Sequence, residues 1–328
     1  MLDLDRRFKA SNHRLSEYGI AEPQSIISET EFMRMKYNCQ IQLQLFHDLI
    51  VASPFTYEMQ SLFNMIMDAV HNDRQELHVL QGQGGSGKST FVKSLMAYVR
   101  SKDMIALGCA STGLAVSIYE DFFTTHSLFG IPVVEEEDYD TIDDIEMQIT
   151  QERRLLIQNA SLIVWDEAFS NHSLCLTIVL KHFFDNISDN DTPKVLLLVG
   201  DNKQIAPVVK YGGKYQILQA SIISHPAFAK FTITSFTKNL RLMNDVSERQ
   251  VEFQKYAEML LEVGAGSPQN HAIAKSPVDA QTSEQQLIIP CLSVTSDMKM
   301  ALSFLHPNYD VDDDLFHTRC IVAGINML

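Results

Sequence analysis

The sequence predicts an α/β fold with a doubly wound parallel sheet, and two observations lead to this prediction. Short apolar runs alternate with longer stretches of helical periodicity; the runs are Leu77–Leu80, Met104–Ala110, Leu162–Trp165 and Val195–Val199. Strands that are apolar on both faces are typical of parallel sheets with helices on each side. Glycine, polar or acidic residues follow each run at once, and ligands bind at the carboxyl ends of such strands. We therefore expect the functional residues at these strand ends.

Helical segments precede and separate these runs. Ser28 and Glu31 have the spacing of a capping box, and mixed apolar and polar residues follow at helical intervals to about Val70. Between the apolar runs, Ser89–Arg100 and Ile142–Asn159 are predicted to form crossover helices. The chain is thus expected to begin with a helical region and to continue into the sheet.

Composition limits the class of protein. The 328 residues are 45% hydrophobic, enough for one large or two medium domains. No run of about 18 apolar residues predicts a membrane span, and the charged N-terminus lacks the apolar stretch of a secretory signal. The five cysteines are far apart and lack zinc-site spacing, as expected of thiols in a reducing compartment. We expect an intracellular protein that does not enter a membrane.

The formal net charge is −15 at pH 7, whereas nucleic-acid-binding modules usually carry a basic face. Much of the acid is concentrated in two clusters that are predicted to be solvated loops, Glu135–Asp140 and Asp312–Asp314. The charge therefore argues against a tight non-specific DNA clamp, but not against a transient DNA track.

A glycine-rich loop follows the first apolar run. Residues 82–89 fit the pattern G-x-x-x-x-G-K-[ST] and open a predicted helix, which is the context in which this pattern binds phosphate. Glycines let backbone N–H groups point inward around phosphate oxygens. Lys88 is predicted to reach the β- and γ-phosphates of ATP, and the Ser89 hydroxyl to bind Mg²⁺. The predicted nucleotide-binding residues here are Gly82, Gly84, Gly85, Ser86, Gly87, Lys88, Ser89 and Thr90.

Polar side chains follow the later apolar runs. Asp166 is predicted to hold the Mg²⁺ shell, and the adjacent Glu167 to polarise the attacking water as a general base. Gln204 could contact the γ-phosphate or that water, since an amide both donates and accepts; a polar turn is the alternative. Arg241 could stabilise charge in phosphoryl transfer, although from composition alone it is better interpreted as a surface residue.

Two further segments suggest a DNA track. Thr112 ends the second apolar run with a hydroxyl suited to phosphate, and His126 lies among hydroxyls and an aromatic ring. A hydrogen-bonded structural histidine is the alternative for His126. The nearby Phe122, Phe123 and Phe129 are better interpreted as core residues than as a stacking platform.

In this order, the motifs resemble those of superfamily 1B DNA helicases of the petite-integration-frequency type, including helicases of Helitron transposons and, more distantly, RecD. The resemblance covers most of the chain, and the set is far more specific than any single motif. The matching segments are Asn12–Ile20, Gly82–Ser89, Ala110–Ala115, Thr124–Ser127, Asp166–Glu167, Gly200–Pro207 and Asn239–Leu242. The resemblance implies a P-loop NTPase with RecA-like domains, in which ATP hydrolysis drives translocation on single-stranded DNA and unwinding at duplex junctions.

The resemblance also implies roles for individual residues. It makes Gln60 the glutamine that reads adenine, and Thr112 and His126 contacts to DNA. Departures from the family motifs occur at Ser170, Asn202, Lys203 and Ala206. The implied catalytic residues are Lys88, Glu167, Gln204 and Arg241, with Ser89 and Asp166 as Mg²⁺ ligands.

The domain organisation follows from the same comparison. We expect a helical lead-in over residues 1–75, a RecA-like ATPase domain with a small insertion over 76–243, and an incomplete second RecA-like domain over 244–328. His317–Asn326 resembles the first strand of that second domain, and motifs V and VI do not follow it. About half of a two-domain motor is therefore expected, which should bind ATP better than it hydrolyses it.

The resemblance implies a nuclear location and a role in DNA repair, recombination, telomere maintenance or transposition. An ATP-binding regulator, or a degenerate transposon-derived fragment without helicase activity, is the first alternative. A P-loop enzyme that does not act on DNA, such as a nucleotide kinase, is the second. The sequence leaves the oligomeric state and the direction of translocation open.

Overall fold

The computed structural model describes residues 15–20, 28–132, 147–185, 192–204, 207–209 and 212–243, together with 251, 255, 257–258, 274–275 and 287–288. The chain divides into two compact units, Met1–Gln254 and Lys255–Leu328. The predicted domain boundary at residue 243 stays a prediction. Both predicted acidic loops and the predicted strand His317–Asn326 lie outside the described residues.

The first unit is built on a six-stranded parallel sheet with the strand order β3-β2-β4-β5-β1-β6. The strands are β1 Glu76–Gly82, β2 Ile105–Ala110, β3 Phe123–Thr124, β4 Ala160–Asp166, β5 Val195–Gly200 and β6 Thr232–Phe236. The four predicted apolar strands are confirmed, together with the α/β class. The sequence did not predict β3 and β6, which are short, lie at the two edges and are less buried than the central strands.

Helices cover both faces of this sheet. They are α1 Glu29–Lys36, α2 Cys39–Ala52, α3 Tyr57–His71, α4 Lys88–Ser101, α5 Gly113–Val116, α6 Thr125–Phe129, α7 Gln151–Gln158, α8 Ser173–Leu180, α9 Lys214–Ala220 and α10 Leu240–Met243. A 3-10 turn at Leu15–Tyr18 precedes them, and further 3-10 or π turns occur at Ala168–Ser170, Lys181–Asp185, Ile222–Ser224 and Pro226–Lys230.

The predicted N-terminal helical region consists of three helices. The Ser28 hydroxyl accepts a hydrogen bond from the Glu31 N–H at 3.1 Å, so α1 begins where the capping pattern predicted. Asn38 caps α2, and Thr56 caps α3. Because the first two helices end at the C-caps Tyr37 and Ser53 and each following helix begins at a new N-cap, the apolar periodicity does not produce one continuous helix.

The crossover helix predicted over Ile142–Asn159 is wrong at its N-terminal side. Within the described residues, helix α7 begins only at Gln151, because the Thr150 side chain accepts from the Arg153 N–H and acts as its N-cap. Residues 147–150 are not helical, and 142–146 lie outside the described residues.

The sheet separates two hydrophobic layers, and adjacent residues of β4 contribute to opposite ones. Ile163 and Trp165 belong to the layer formed with α1, α6, α7 and α8, whereas Leu162 and Val164 belong to the layer formed with α3 and α4. All four side chains are fully buried. Burial on both faces explains why the central strands are continuous apolar runs.

The second unit contributes two short described strands, β7 Ala274–Lys275 and β8 Leu287–Ile288, which pair antiparallel. Among the described residues of the whole chain, no helix has the length and apolar content to cross a membrane.

Candidate nucleotide-binding site

The glycine-rich loop joins the end of β1 to the start of α4. Gly85 and Gly87 have φ angles of +82° and +86°, a left-handed conformation that glycine adopts without steric cost. Gly87 precedes α4 and offers no side-chain cap, so the N–H groups of the first turn remain available to a ligand. The loop therefore has the backbone geometry of an anion-binding site.

Close neighbours also favour glycine at positions 82, 85 and 87 of this loop. A Cβ atom on Gly85 would lie 2.6 Å from Asn239 Oδ1, and a Cβ on Gly87 would lie 2.7 Å from Met59 Cε. A Cβ on Gly82 would lie 2.6 Å from the Ser86 hydroxyl oxygen. That hydroxyl is buried and has no hydrogen-bond partner among the described residues. A buried hydroxyl without a partner inside a glycine cradle fits a phosphate group.

Lys88 lies folded against its own loop. Its Nζ donates hydrogen bonds to the carbonyl oxygens of Gly82 at 2.6 Å and Gln83 at 3.1 Å. Burial lowers the pKa of Lys88, and the nearby carboxylates of Asp201 and Glu167 oppose that shift. Among the described residues, the partly buried Lys88 ammonium donates hydrogen bonds to these carbonyl oxygens, which phosphate oxygens can replace.

Asp166 and Glu167 lie at the carboxyl end of β4, as predicted. Asp166 is buried, and its Oδ1 accepts a hydrogen bond from the Glu167 N–H at 2.9 Å. Burial raises the pKa of both carboxyls, and for Glu167 the charge of Asp166 raises it further. Glu167 has a φ of +50°, unusual for a residue other than glycine. A half-buried carboxyl with a raised pKa suits a general base.

Sequence reasoning missed Tyr119, which contacts two predicted Mg²⁺ ligands. The Tyr119 hydroxyl donates to Asp166 Oδ2 at 2.6 Å, and the Ser89 side chain also interacts with this hydroxyl. Its ring stacks on Phe122, with centroids 3.8 Å apart. A single tyrosine in a loop forms no pattern, so no signal in the sequence pointed to it.

The residues at this corner fit Mg²⁺. Ser89 and Asp166 offer oxygen ligands, which Mg²⁺ prefers, and the Tyr119 hydroxyl donates to the Asp166 carboxylate. Within the described part of the chain, no group of three or more His, Cys, Asp or Glu residues could hold a metal by itself. A site with few protein ligands is the arrangement by which Mg²⁺ binds beside nucleotide phosphates.

Gln204 follows β5, the strand that lies between β1 and β4. Its side chain is exposed, and Nε2 donates to Asp201 Oδ2 at 3.3 Å. The Asp201 carboxylate in turn interacts with Lys88 and Glu167. The structure thus brings the Gln204 turn to the same sheet edge as the phosphate loop.

Arg241 and Gln60 approach the loop from other elements. The Arg241 N–H donates to the Gly85 carbonyl oxygen at 3.2 Å, while its side chain is exposed. Gln60 is also exposed and donates to Asn64, next to Met59 in α3. Thr90 lies in α4, and its carbonyl oxygen accepts from Ser94.

The predicted DNA contacts lie further along the same sheet edge. Thr112 is exposed, and its Oγ1 accepts from the Ala115 N–H at 3.2 Å as the N-cap of α5. His126 in α6 is partly buried, and burial lowers its pKa. Phe122 and Phe129 are buried in the core, as predicted, and Phe123 is partly buried.

The parallel sheet, the phosphate loop after β1 and the Asp-Glu pair after β4 define a P-loop protein with a RecA-like fold. The model of the PIF1-like helicases matches residues 55–273. The chain therefore belongs to the PIF1-like helicase family.

Solved structures with a similar fold include two of Pif1 from Bacteroides. One is in complex with ADP-AlF4 (24% identity, 63% of this chain and 45% of that chain covered, TM-score 0.47). The other is bound to single-stranded DNA (23% identity, 67% and 51% covered, TM-score 0.49). Pif1 helicase from Candida albicans is 18% identical, with 66% and 45% covered and a TM-score of 0.49. The chain spans about half the length of these structures. No curated protein sequence matches it significantly.

Proposed function

We propose that this chain carries the ATP-binding half of an ATP-dependent DNA helicase. The observation that carries the proposal is the convergence of the end of β4 and the segment after β6 on the phosphate loop. Lys88 lies on the loop, Asp166 and Glu167 lie close enough to affect the Lys88 pKa, and the Arg241 backbone is hydrogen-bonded to Gly85. Phosphoryl transfer needs these groups together, because charge develops on the transferred phosphate.

Each residue of the site has its own role in ATP hydrolysis. Lys88 exchanges its loop carbonyls for the β- and γ-phosphate oxygens, and Ser89 and Asp166 hold Mg²⁺. When bound, Mg²⁺ supplies positive charge to those oxygens. Glu167 accepts the proton of the attacking water, which Gln204 helps to orient, and the exposed Arg241 side chain turns toward the γ-phosphate.

Single-stranded DNA, and duplex junctions with it, are the proposed partners. Support comes from the family and from relatives: Pif1 from Bacteroides has been solved in complex with single-stranded DNA, and another Pif1 structure concerns DNA unwinding at forked duplex DNA. Thr112 and His126 are the proposed DNA contacts. Roles in repair, recombination, telomere maintenance or transposition, and a nuclear location, rest on the family resemblance alone.

ATP hydrolysis by the purified chain, with and without single-stranded DNA, tests this function. We expect DNA-stimulated hydrolysis that disappears in Lys88→Ala and persists in Lys102→Ala, a control at the far end of α4. Nucleotide binding without turnover would support an ATP-binding regulator instead. Phosphate transfer to a small acceptor, independent of DNA, would support a nucleotide kinase.

A further inference from the structure

The Tyr119 hydroxyl lies where the two predicted Mg²⁺ ligands meet. It donates to Asp166 Oδ2 at 2.6 Å and also interacts with the Ser89 side chain. The other carboxylate oxygen of Asp166 accepts from the Glu167 N–H at 2.9 Å. Each carboxylate oxygen of Asp166 therefore already has a donor before any metal binds.

Packing holds Tyr119 in this position. Its ring stacks on Phe122 at an interplanar angle of 10°, and the Lys93 ammonium lies 5.6 Å from the ring centroid. The neighbouring Asp121 accepts hydrogen bonds from Lys36 and Tyr37, which anchors the same loop to the N-terminal helices. The hydroxyl is thus fixed by the fold rather than free to rotate away.

We propose that Tyr119 is a positioning residue of the Mg²⁺ site: its hydroxyl, held beside Ser89, donates to Asp166 in the free protein and weakens the attraction of that carboxylate for Mg²⁺. The inference rests on the proposed function, since it requires Ser89 and Asp166 to be the metal ligands. Tyr119 thereby raises the Mg²⁺ concentration at which nucleotide binds.

The sign of the effect follows from competition. A carboxylate offers lone pairs to both a hydroxyl proton and a divalent cation, but the two contacts draw on the same negative charge, so the hydrogen bond weakens the attraction of Asp166 for the cation. Replacing tyrosine by phenylalanine removes the proton donor and keeps the stacked ring. The buried Asp166 carboxylate then lacks one hydrogen-bond donor, which strengthens its attraction for a cation. A residue that only supported the metal ligands would give the opposite sign.

Binding of a fluorescent ADP analogue tests the proposal, with energy transfer from Trp165, the one tryptophan of the sequence, as the signal. Three proteins are titrated in EDTA and at graded Mg²⁺: the wild type, Tyr119→Phe and the control Tyr98→Phe. The Tyr98 ring packs on Phe46 and Phe63 near the C-terminal end of α4. We expect Tyr119→Phe to lower the Mg²⁺ concentration for half-maximal binding about tenfold, the scale of one hydrogen bond to a charged group. Its affinity in EDTA, and both properties of Tyr98→Phe, should match the wild type.

An unchanged Mg²⁺ requirement in Tyr119→Phe would overturn the inference alone, and so would an increased requirement, because the hydroxyl would then assist the metal. An equal change of affinity in EDTA and in Mg²⁺ would also overturn it, since that result indicates a structural role. Absence of nucleotide binding by the wild type would overturn the proposed function together with the inference.

Discussion

The backbone N–H of Arg241 donates a hydrogen bond to the carbonyl oxygen of Gly85, with an N···O distance of 3.2 Å. This contact places the segment after β6 directly on the phosphate loop after β1, and these two strands are neighbours in the sheet. The proposed arginine finger is therefore anchored through its backbone, while its exposed side chain keeps the freedom to reach a nucleotide.

Gly85→Ala is expected to destabilise the nucleotide-free protein by about 1–3 kcal/mol, the cost of a strained backbone conformation. The φ of Gly85 is +82°, and an added Cβ would lie 2.6 Å from Asn239 Oδ1. Chemical denaturation without nucleotide measures the loss.

Gly84→Ala is the matched control for this loop. Gly84 has no atoms within 4 Å of an added Cβ and no positive φ. Its replacement should leave stability unchanged or raise it by up to about 1 kcal/mol, since alanine restricts the unfolded chain. Equal stability of Gly85→Ala and Gly84→Ala would show that the positive φ and the close neighbours of Gly85 do not require glycine at this position.

Glu167→Gln is expected to lower the rate of DNA-stimulated ATP hydrolysis by about 10²–10⁴-fold, the usual contribution of a general base. Nucleotide affinity should change only a few-fold, because an amide of the same shape keeps the site intact. Steady-state hydrolysis and nucleotide titration measure the two properties separately. Hydrolysis at more than a tenth of the wild-type rate would assign the base to another residue.

The same variant has a predicted effect on stability against pH. Burial and the charge of Asp166 raise the Glu167 pKa above its ordinary value of 4.5, so the folded state prefers the protonated carboxyl. Its favourable contribution is complete below pH 4.5 and is lost as the pH rises through the raised pKa. Glu167→Gln should therefore have a higher melting temperature than the wild type at pH 7, and this difference should vanish at pH 4. A difference in melting temperature that does not depend on pH would contradict a raised pKa of Glu167.

His126→Ala is expected to weaken binding of single-stranded DNA about tenfold, through loss of stacking or a hydrogen bond. Because burial lowers the His126 pKa, the ring is neutral at pH 7 and adds no charge. The salt dependence of binding should thus be the same in variant and wild type. Fluorescence anisotropy with a labelled oligonucleotide at two salt concentrations measures both, and His71→Ala, an exposed histidine at the end of α3, is the control.

Glu29→Ala is expected to destabilise the protein by about 3–5 kcal/mol, because it leaves the buried charge of Arg153 without its partner. Arg153 donates to both carboxylate oxygens of Glu29, at 2.5 and 3.3 Å, and joins α7 to α1. Thermal and chemical denaturation measure the loss. Asp68→Ala breaks an exposed pair with Arg74 and should cause little change. Similar losses of stability in Glu29→Ala and Asp68→Ala would show that the buried ion pair stabilises the protein no more than the exposed one.

Local patterns in the sequence determined much of this protein. Leu162–Trp165 and Val195–Val199 are short continuous apolar runs, the pattern of strands that are buried on both faces of a parallel sheet covered by helices. The loop of residues 82–89 predicts a phosphate-binding site because its glycines and Lys88 lie within one short segment of the chain. Asp166 and Glu167 fall at a strand end, where the carboxyl ends of parallel strands converge.

Tertiary structure alone decided the contacts between distant segments. Tyr119 meets Asp166 because β2 and β4 are neighbours in the sheet, and Arg241 meets Gly85 because β6 pairs with β1. The two edge strands, and the start of α7 at Gln151, also escaped the sequence patterns. The physical reason is that periodicity records which face of an element is buried, but not which other element buries it. The contact between Tyr119 and Asp166 is therefore visible only after the strands have taken their order in the sheet.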